Sequence, residues 1–185
     1  MTNFKTIAAT LATAAAALAC AGCGKMGKVE QGRVIAYDPQ SRQVTLILEP
    51  AVLPPVTIQA PANPNEMGPA PAAGGLMLLD SKKRRIVIYD RGTQSFRTVQ
   101  YTLIEERHNV AKSPGPPLVD RVRKTITLYV PKDRSVITFA ASDDLLAMPA
   151  GTWRAGDVVR YYYKDPGQAL RLMNVTKTDL TKATG

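Results

Sequence analysis

The fold class is decided by the stretch Gly32-Arg33-Val34-Ile35-Ala36-Tyr37-Asp38-Pro39-Gln40-Ser41-Arg42-Gln43-Val44-Thr45-Leu46-Ile47-Leu48. Two runs within it, 33–37 and 43–48, are rich in β-branched and aromatic residues. Between them stand Asp, Pro, Gln and Ser, which are residue types that favour a turn. Two such runs around a turn predict a β-hairpin.

The same strand-turn-strand pattern continues along the chain. Within residues 96–105, Val99, Tyr101 and Leu103 alternate with polar neighbours, which is the period of two of a half-buried strand. The other strand-like runs are 76–79, 85–89, 124–130, 136–139, 158–163 and 169–175. We therefore predict an all-β, antiparallel fold of about nine strands, arranged as one barrel or as two packed small barrels.

One short helix and two proline-rich segments interrupt the predicted strands. Ser142 stands where an N-cap is favoured, and the helix is expected over 143–148 because Pro149 ends it. Residues 50–75 hold seven of the fourteen prolines. Since proline removes a donor from a sheet ladder, this segment is expected to be an edge strand or a surface loop. Residues 112–117 are expected to form a second loop.

Composition limits the functions that the chain could perform. Its 185 residues include 24 Lys and Arg against 15 Asp and Glu, which gives a formal charge of +9. One histidine and two cysteines are too few for a disulfide-dense scaffold or for a metal site built from several His or Cys ligands.

The N-terminus is typical of an exported lipoprotein. Lys5 precedes an uncharged stretch, 6–19, which is too short to span a membrane but fits the apolar part of a secretory signal. It ends in Ala17-Leu18-Ala19-Cys20, which resembles a lipobox, so Cys20 is the favoured lipid attachment site and Cys23 the alternative. Because Ala21 and not Asp follows Cys20, the resemblance implies the outer membrane, with the protein facing the periplasm.

The signal, the strand-like runs and the loops divide the chain into segments. We predict a lipoprotein signal peptide at 1–19, a tether at 20–30, an antiparallel β domain at 31–178 and a tail at 179–185. The β domain has two candidate halves, 31–110 and 119–178. They are separated by the second proline-rich loop.

No set of residues predicts catalysis. His108 would need a nearby nucleophile and an orienting group to act as a base, and neither a Gly-x-Ser-x-Gly motif nor a glycine-rich phosphate loop is present. Glu105 and Glu106 point to opposite faces of a strand, so they cannot easily share a proton. We predict a protein that is not an enzyme and has no cofactor.

Two groups of residues are candidates for binding. The run Lys82-Lys83-Arg84-Arg85 is a candidate for contact with a polyanion, and export argues against nucleic acid. In the run Tyr161-Tyr162-Tyr163, alternation places one face in the core. The exposed tyrosine, with Trp153 near it, is a candidate for contact with a partner or a glycan.

Parts of the chain resemble known families. Residues 32–46, Ala155-Gly156-Asp157-Val158 and 169–175 resemble strands of small secreted oligonucleotide/oligosaccharide-binding-type barrels. The mature chain also resembles a family of uncharacterised lipoproteins of sulfate-reducing bacteria, a resemblance that implies class and location but no activity. Its motifs are Asn65-Glu66-Met67-Gly68-Pro69, Gln94-Ser95-Phe96, Tyr101-Thr102-Leu103 and Met173-Asn174-Val175-Thr176-Lys177.

A third resemblance implies a metal. Periplasmic copper-binding barrels carry a similar Gly-Asp-x-Val strand, and they hold Cu(I) with Met thioethers, a His and a Trp face. The matching candidates here are Met148, Trp153 and His108, although the Trp-Pro-x-Met-x-Met segment of that family is absent.

The sequence thus predicts a lipid-anchored, non-enzymatic protein of the cell envelope that binds a partner protein. A periplasmic barrel that binds Cu(I) or another small ligand is the alternative. An envelope hydrolase is the third hypothesis.

Overall fold

The computed structural model describes residues 26–113 and 115–178, which form twelve strands and one α-helix. The strands are β1 Lys28–Asp38, β2 Gln43–Leu48, β3 Val52–Gln59, β4 Leu76–Asp80, β5 Arg85–Asp90, β6 Ser95–Gln100, β7 Thr102–Arg107, β8 Leu118–Asp120, β9 Thr125–Val130, β10 Ser135–Ala140, β11 Val158–Tyr163 and β12 Ala169–Asn174. The helix α1 covers Asp143–Leu146, and 3₁₀ turns cover Pro64–Glu66 and Ala150–Trp153.

The strands form three antiparallel sheets. Their orders are β12-β11-β1-β2-β3, β7-β10-β9-β8 and β4-β5-β6. The prediction of an all-β, antiparallel fold with one short helix is therefore confirmed. The proline-rich segment supplies β3 at the edge of the five-stranded sheet, which is where Pro54 and Pro55 cost no ladder bond.

The predicted arrangement as one barrel or two packed small barrels is not observed, since no barrel closes among the described strands. The two edges of the five-stranded sheet meet at a parallel bridge between Gln59 and Gln168, where the Gln59 amide donates to the Gly167 carbonyl at 2.8 Å. A seam of so few bonds leaves the curled sheet open. The bridge is formed by the last residue of β3 and the residue just before β12, and these are the two edge strands.

Five hairpin turns share one backbone conformation, with a non-glycine residue in the left-handed region just before the second strand. In four of them an aspartate precedes the turn, and its carboxylate accepts a backbone amide, such as Lys83 N to Asp80 at 3.0 Å. This is why the sequence repeats an aspartate followed four residues later by Arg, Lys or Gln. The residues with positive φ are Arg42, Arg84, Gln94, Lys124 and Arg134.

The two main cores are nested along the chain. The first, which we call the sheet core, lies inside the five-stranded sheet and includes Val34 and Leu172. The second, the insertion core, lies between the other two sheets and α1 and includes Ile86 and Phe139. Each core takes residues from both candidate halves, 31–110 and 119–178. The region 75–156, which we call the insertion, is thus placed between β3 and β11 of the first sheet.

Two of the predicted segments differ most from the structure, whose described residues form twelve strands where about nine are predicted. β1 begins at Lys28, so the last residues of the predicted tether, 28–30, belong to the sheet. The predicted strand 96–105 is two strands, because Tyr101 is buried and its amide donates to the Arg84 carbonyl at 3.0 Å. At this residue the chain leaves the three-stranded sheet and joins the four-stranded one.

The helix is shorter than predicted. The Met148 amide donates to the Leu145 carbonyl, three residues earlier, at 3.2 Å, so the α-helical hydrogen bonding ends after one turn. Pro149 follows. Ser142 occupies the predicted N-cap position. Its hydroxyl donates to the Asp144 carboxylate, and it makes no capping bond with a backbone amide of the described helix. Ion pairs with Arg97 and Lys124 hold α1 against its neighbours.

The two ends of the insertion meet at Val34. Its carbonyl accepts the Gly74 amide at 3.0 Å, and its amide donates to the Asp157 carbonyl at 2.9 Å. A Cβ atom at Gly156 would lie 1.9 Å from the Val34 oxygen, and one at Gly74 would lie 2.1 Å from the Arg154 oxygen. Glycine is therefore required where these backbones approach.

A buried carboxylate completes this junction. Asp157 is 7% exposed, and its Oδ2 accepts the Ala72 amide at 2.8 Å and the Asn174 side-chain amide at 2.9 Å. The Lys177 ammonium lies 3.1 Å from the same oxygen. Burial raises the pKa of Asp157, but the bonds from Asn174, Ala72 and Lys177 outweigh it and hold the pKa below its ordinary value.

The close approach at Val34 gives a test. Gly156→Ala should lower the free energy of unfolding by about 2–3 kcal/mol, because the new methyl group meets a backbone oxygen that cannot move freely. Gly151→Ala is the matched control, since nothing lies within 4 Å of a Cβ there. Gly151→Ala should leave the free energy of unfolding unchanged. Unfolding of both variants in urea measures the two free energies. Equal effects would contradict the tight junction.

Candidate functional site

The three consecutive tyrosines of β11 divide between the two faces of the sheet. Tyr161 and Tyr163 are 3% and 8% exposed and belong to the sheet core, whereas Tyr162 is half-buried and lies on the outer face. The alternation predicted from the sequence is thus observed. Trp153 is not beside them, because it lies in the insertion core with its ring centroid 6.1 Å from that of Phe139.

Tyr162 lines an open groove of about 660 Å³ on the outer face of the five-stranded sheet. The residues that line this groove, which we call the sheet groove, are Val29, Glu66, Arg160, Tyr161, Tyr162, Leu170, Arg171 and Met173.

Two cross-strand rows of side chains lie on the outer face of the five-stranded sheet, in and beside the sheet groove. In the first row the Gln31 amide donates to Glu49 at 2.8 Å, Arg160 donates to Gln31 at 3.1 Å, and Met173 pairs with Arg160 in register. A row of complementary side chains across adjacent strands stabilises the sheet and fixes the side chains.

The second row is more apolar. Tyr162 pairs in register with Val29 of β1 and with Arg171 of β12. The Arg171 guanidinium donates to Glu66 at 2.7 Å, and this bond lowers the pKa of Glu66. Val29 and Leu170 are 60% and 47% exposed. Apolar side chains on the groove are therefore available to a ligand or a partner.

On the inner face of the same strands, one carboxylate ties β1 to β11. The Tyr161 hydroxyl donates to Glu30 at 2.5 Å and the Tyr163 hydroxyl donates to Glu30 at 3.0 Å. The two rings stack with centroids 5.3 Å apart. Burial, and then the bond to Glu30, raise the pKa of Tyr161, so this contact is between neutral hydroxyls and the carboxyl group over the physiological range.

A second depression of about 470 Å³ adjoins the sheet groove and shares Val29 and Arg160 with it. Leu48, Pro50 and Val52 line its other side. Together the two depressions give a continuous surface that combines apolar side chains and tyrosine with arginines and glutamates. Tyr and Arg are enriched at the centres of protein interfaces, so this composition suits contact with another protein.

The predicted polyanion-contact residues lie elsewhere, in the turn between β4 and β5. Lys82, Lys83 and Arg84 are exposed. Arg85 is the first residue of β5 and is partly buried, and its Nε has no hydrogen-bond partner in the part of the chain that the structure describes. The sequence thus identified an exposed basic turn, but Arg85 belongs to a strand.

The candidate copper ligands do not share one environment. Trp153 is buried in the insertion core and Met148 packs against that core. His108 is exposed beyond the end of β7, with its Nε2 4.0 Å from Glu106 Oε1. Among the described residues, no three His, Cys, Asp or Glu side chains are grouped as metal ligands.

The predicted lipid attachment sites, Cys20 and Cys23, lie outside the described residues, as do the signal peptide 1–19 and the tail 179–185. In the described part of the chain, none of the helices has the length and apolar character needed to cross a membrane.

Sequence reasoning missed most of the sheet groove. The alternation in β11 identified Tyr162, but Glu66 lies in the proline-rich segment and Val29 lies in the predicted tether. Their proximity depends on the pairing of β1 with β11, and no local pattern indicates which distant strands pair.

Comparison with known proteins supplies a family. A model described as Domain of unknown function (DUF4881) matches residues 25–183. The chain belongs to this family. No curated protein matches the chain, and no solved structure matches it. The DUF4881 match covers β1 to β12, so the sheet core, the insertion core and the sheet groove all lie within one family domain.

The hydroxyl contacts beneath the sheet groove can be tested by a pair of variants. Tyr161→Phe should lower the free energy of unfolding by about 2 kcal/mol, because it removes a buried bond to a carboxylate. Tyr162→Phe removes a hydroxyl that has no partner among the described residues and should change stability by less than about 0.5 kcal/mol. Urea denaturation measures both, and equal losses would contradict the role of Glu30.

Proposed function

We propose that this DUF4881 protein is a lipid-anchored, non-enzymatic binding module of the bacterial cell envelope, and that the sheet groove is its partner-binding surface. The lipoprotein character and the origin in sulfate-reducing bacteria, which the sequence resemblance implies, are part of this proposal. So are the lipidation of Cys20, with Cys23 as the alternative, and a periplasm-facing position at the outer membrane.

The observation that carries the proposal is the place of the sheet groove on the chain. Val29 lines the groove and lies only nine residues after Cys20 and six after Cys23. A fully extended chain covers at most about 3.5 Å per residue, so the groove would lie within about 30 Å of a lipidated Cys20. The lipid would thus hold the groove near the membrane surface, where another envelope protein would meet it.

The chemistry of the groove supports a protein partner. Arg160 uses one donor on Gln31 and is otherwise exposed, so its guanidinium keeps donors for a partner's carboxylate or carbonyl groups. Tyr162 and the apolar side chains of Val29 and Leu170 supply area that a partner would remove from water. The groove residues are held by cross-strand contacts, so binding would order few side chains.

The anchor can be tested by fractionation of cells. Cys20→Ala should move the protein from the membrane fraction to the soluble periplasmic fraction, because it removes the acylated thiol. Cys23→Ala is the matched control and should leave the protein in the membrane fraction. Release by Cys23→Ala alone would move the attachment to Cys23, and retention of the double variant would contradict lipid anchoring.

The groove can be tested by photocrosslinking in intact cells. A photoreactive phenylalanine analogue in place of Tyr162 should give one reproducible adduct, and Arg160→Ala in the same chain should reduce its yield about tenfold. The analogue in place of Val122, which is 95% exposed in the β8–β9 turn, is the control and should not give that adduct. The same adduct from both positions, or none from Tyr162, would contradict the groove as the binding surface.

A further inference from the structure

Two hairpin turns lie side by side at one end of the insertion. One is the β4–β5 turn, residues 81–84, and the other is the β9–β10 turn, residues 131–134. The Ser81 hydroxyl donates to Asp133 at 3.2 Å and joins them. We call these two turns the basic tip. The turns are contributed by the three-stranded and the four-stranded sheet, and they are distant in sequence.

The basic tip carries five exposed cations. None of them forms a salt bridge with another residue that the structure describes. Some cations elsewhere are paired, as Lys124 pairs with Asp143 and Arg171 pairs with Glu66. The five are Lys82, Lys83, Arg84, Lys132 and Arg134.

The carboxylates of the basic tip are used in building it. Asp80 accepts the Lys83 backbone amide at 3.0 Å, and Asp133 accepts the Ser81 hydroxyl. Their bonds go to neutral groups of the turns, so they fix the backbone, and the ammonium and guanidinium groups have no direct carboxylate partner among the described residues. The positive φ of Arg84 and of Arg134, 48° in each, completes the two turns.

We propose that the basic tip binds the surface of an anionic phospholipid bilayer. Five cations spread over two exposed turns suit a plane of mobile phosphate groups, and each basic residue near such a surface strengthens binding about fivefold. The proposal rests on the proposed function only in placing the chain at a membrane. It adds a second membrane contact that is independent of the lipid, and a single acyl chain with a basic patch is a known route to stable anchoring.

The test uses the full chain with Cys20→Ala and Cys23→Ala, so that no lipid contributes. The protein is sedimented with vesicles that contain phosphatidylglycerol and, separately, with pure phosphatidylcholine vesicles. We expect binding to the first only, and binding that weakens as salt is added. The triple variant Lys82→Gln, Lys83→Gln and Arg84→Gln should bind about a hundredfold more weakly. Glutamine suits the backbone at position 84, since Gln94 has φ 50° in the corresponding turn.

The β8–β9 turn provides a matched control. Arg121→Gln, Arg123→Gln and Lys124→Gln remove the same charge from the same type of turn, where Arg123 lies 3.9 Å from Asp120 and Lys124 pairs with Asp143. This variant should lose less than about fivefold. Equal losses from the two triple variants would show a response to net charge and would overturn the proposal.

Two further results would overturn it. One is no binding of the parent chain to phosphatidylglycerol vesicles. The other is binding to heparin without binding to vesicles, which would assign the basic tip to a polyanionic polymer. Neither result bears on the proposed function, because release of the Cys20→Ala variant and the Tyr162 adduct are measured separately.

Discussion

The carboxylate of Asp157 is the contact on which the arrangement of the two cores depends. It receives the Ala72 amide from the segment that leads into the insertion and the Asn174 amide from the last strand of the five-stranded sheet. Asn174 is itself fully buried and also donates to the Pro69 carbonyl at 3.1 Å. Since a buried carboxylate is stable only when its oxygens are bonded, the chain before and after the insertion is held in one position. The proline-rich segment is thereby fixed against β12, and Glu66 is brought to the sheet groove.

The class of fold was predictable because its signals are local. The period of two and the repeated aspartate turns are both readable within about ten residues, and they identified most of the hairpins. The helix start was also readable, from Ser142 and the two aspartates. What remained hidden is the pairing of strands that are distant in the chain, such as β1 with β11. Periodicity specifies which face of a strand is buried, but it does not specify the strand beside it.

Prediction of the candidate site from local sequence has the same limit. Tyr162 was separable from its neighbours by alternation alone, and the basic turn was readable as a run of charges. By contrast, the second turn of the basic tip is fifty residues further along the chain, and the structure shows through the Ser81–Asp133 contact that the two turns are neighbours. Trp153 was expected near the exposed tyrosine because the two are close in sequence, yet Trp153 is buried in the insertion core. Proximity in sequence is a poor guide wherever one core is nested within another.

The nested order of the cores also has a kinetic consequence. β1 pairs with β2 at once, but it obtains its second partner only when residues 158–163 are present. Every pairing within the insertion joins strands that are closer together in the chain. Contacts of long sequence separation form slowly, since a long loop must close first. As the chain emerges during synthesis, the insertion can collapse early. Until β11 has been made, β1 has one edge without a partner strand. An unpaired edge is a site of misassociation, so the vulnerable interval of folding ends only when β11 docks.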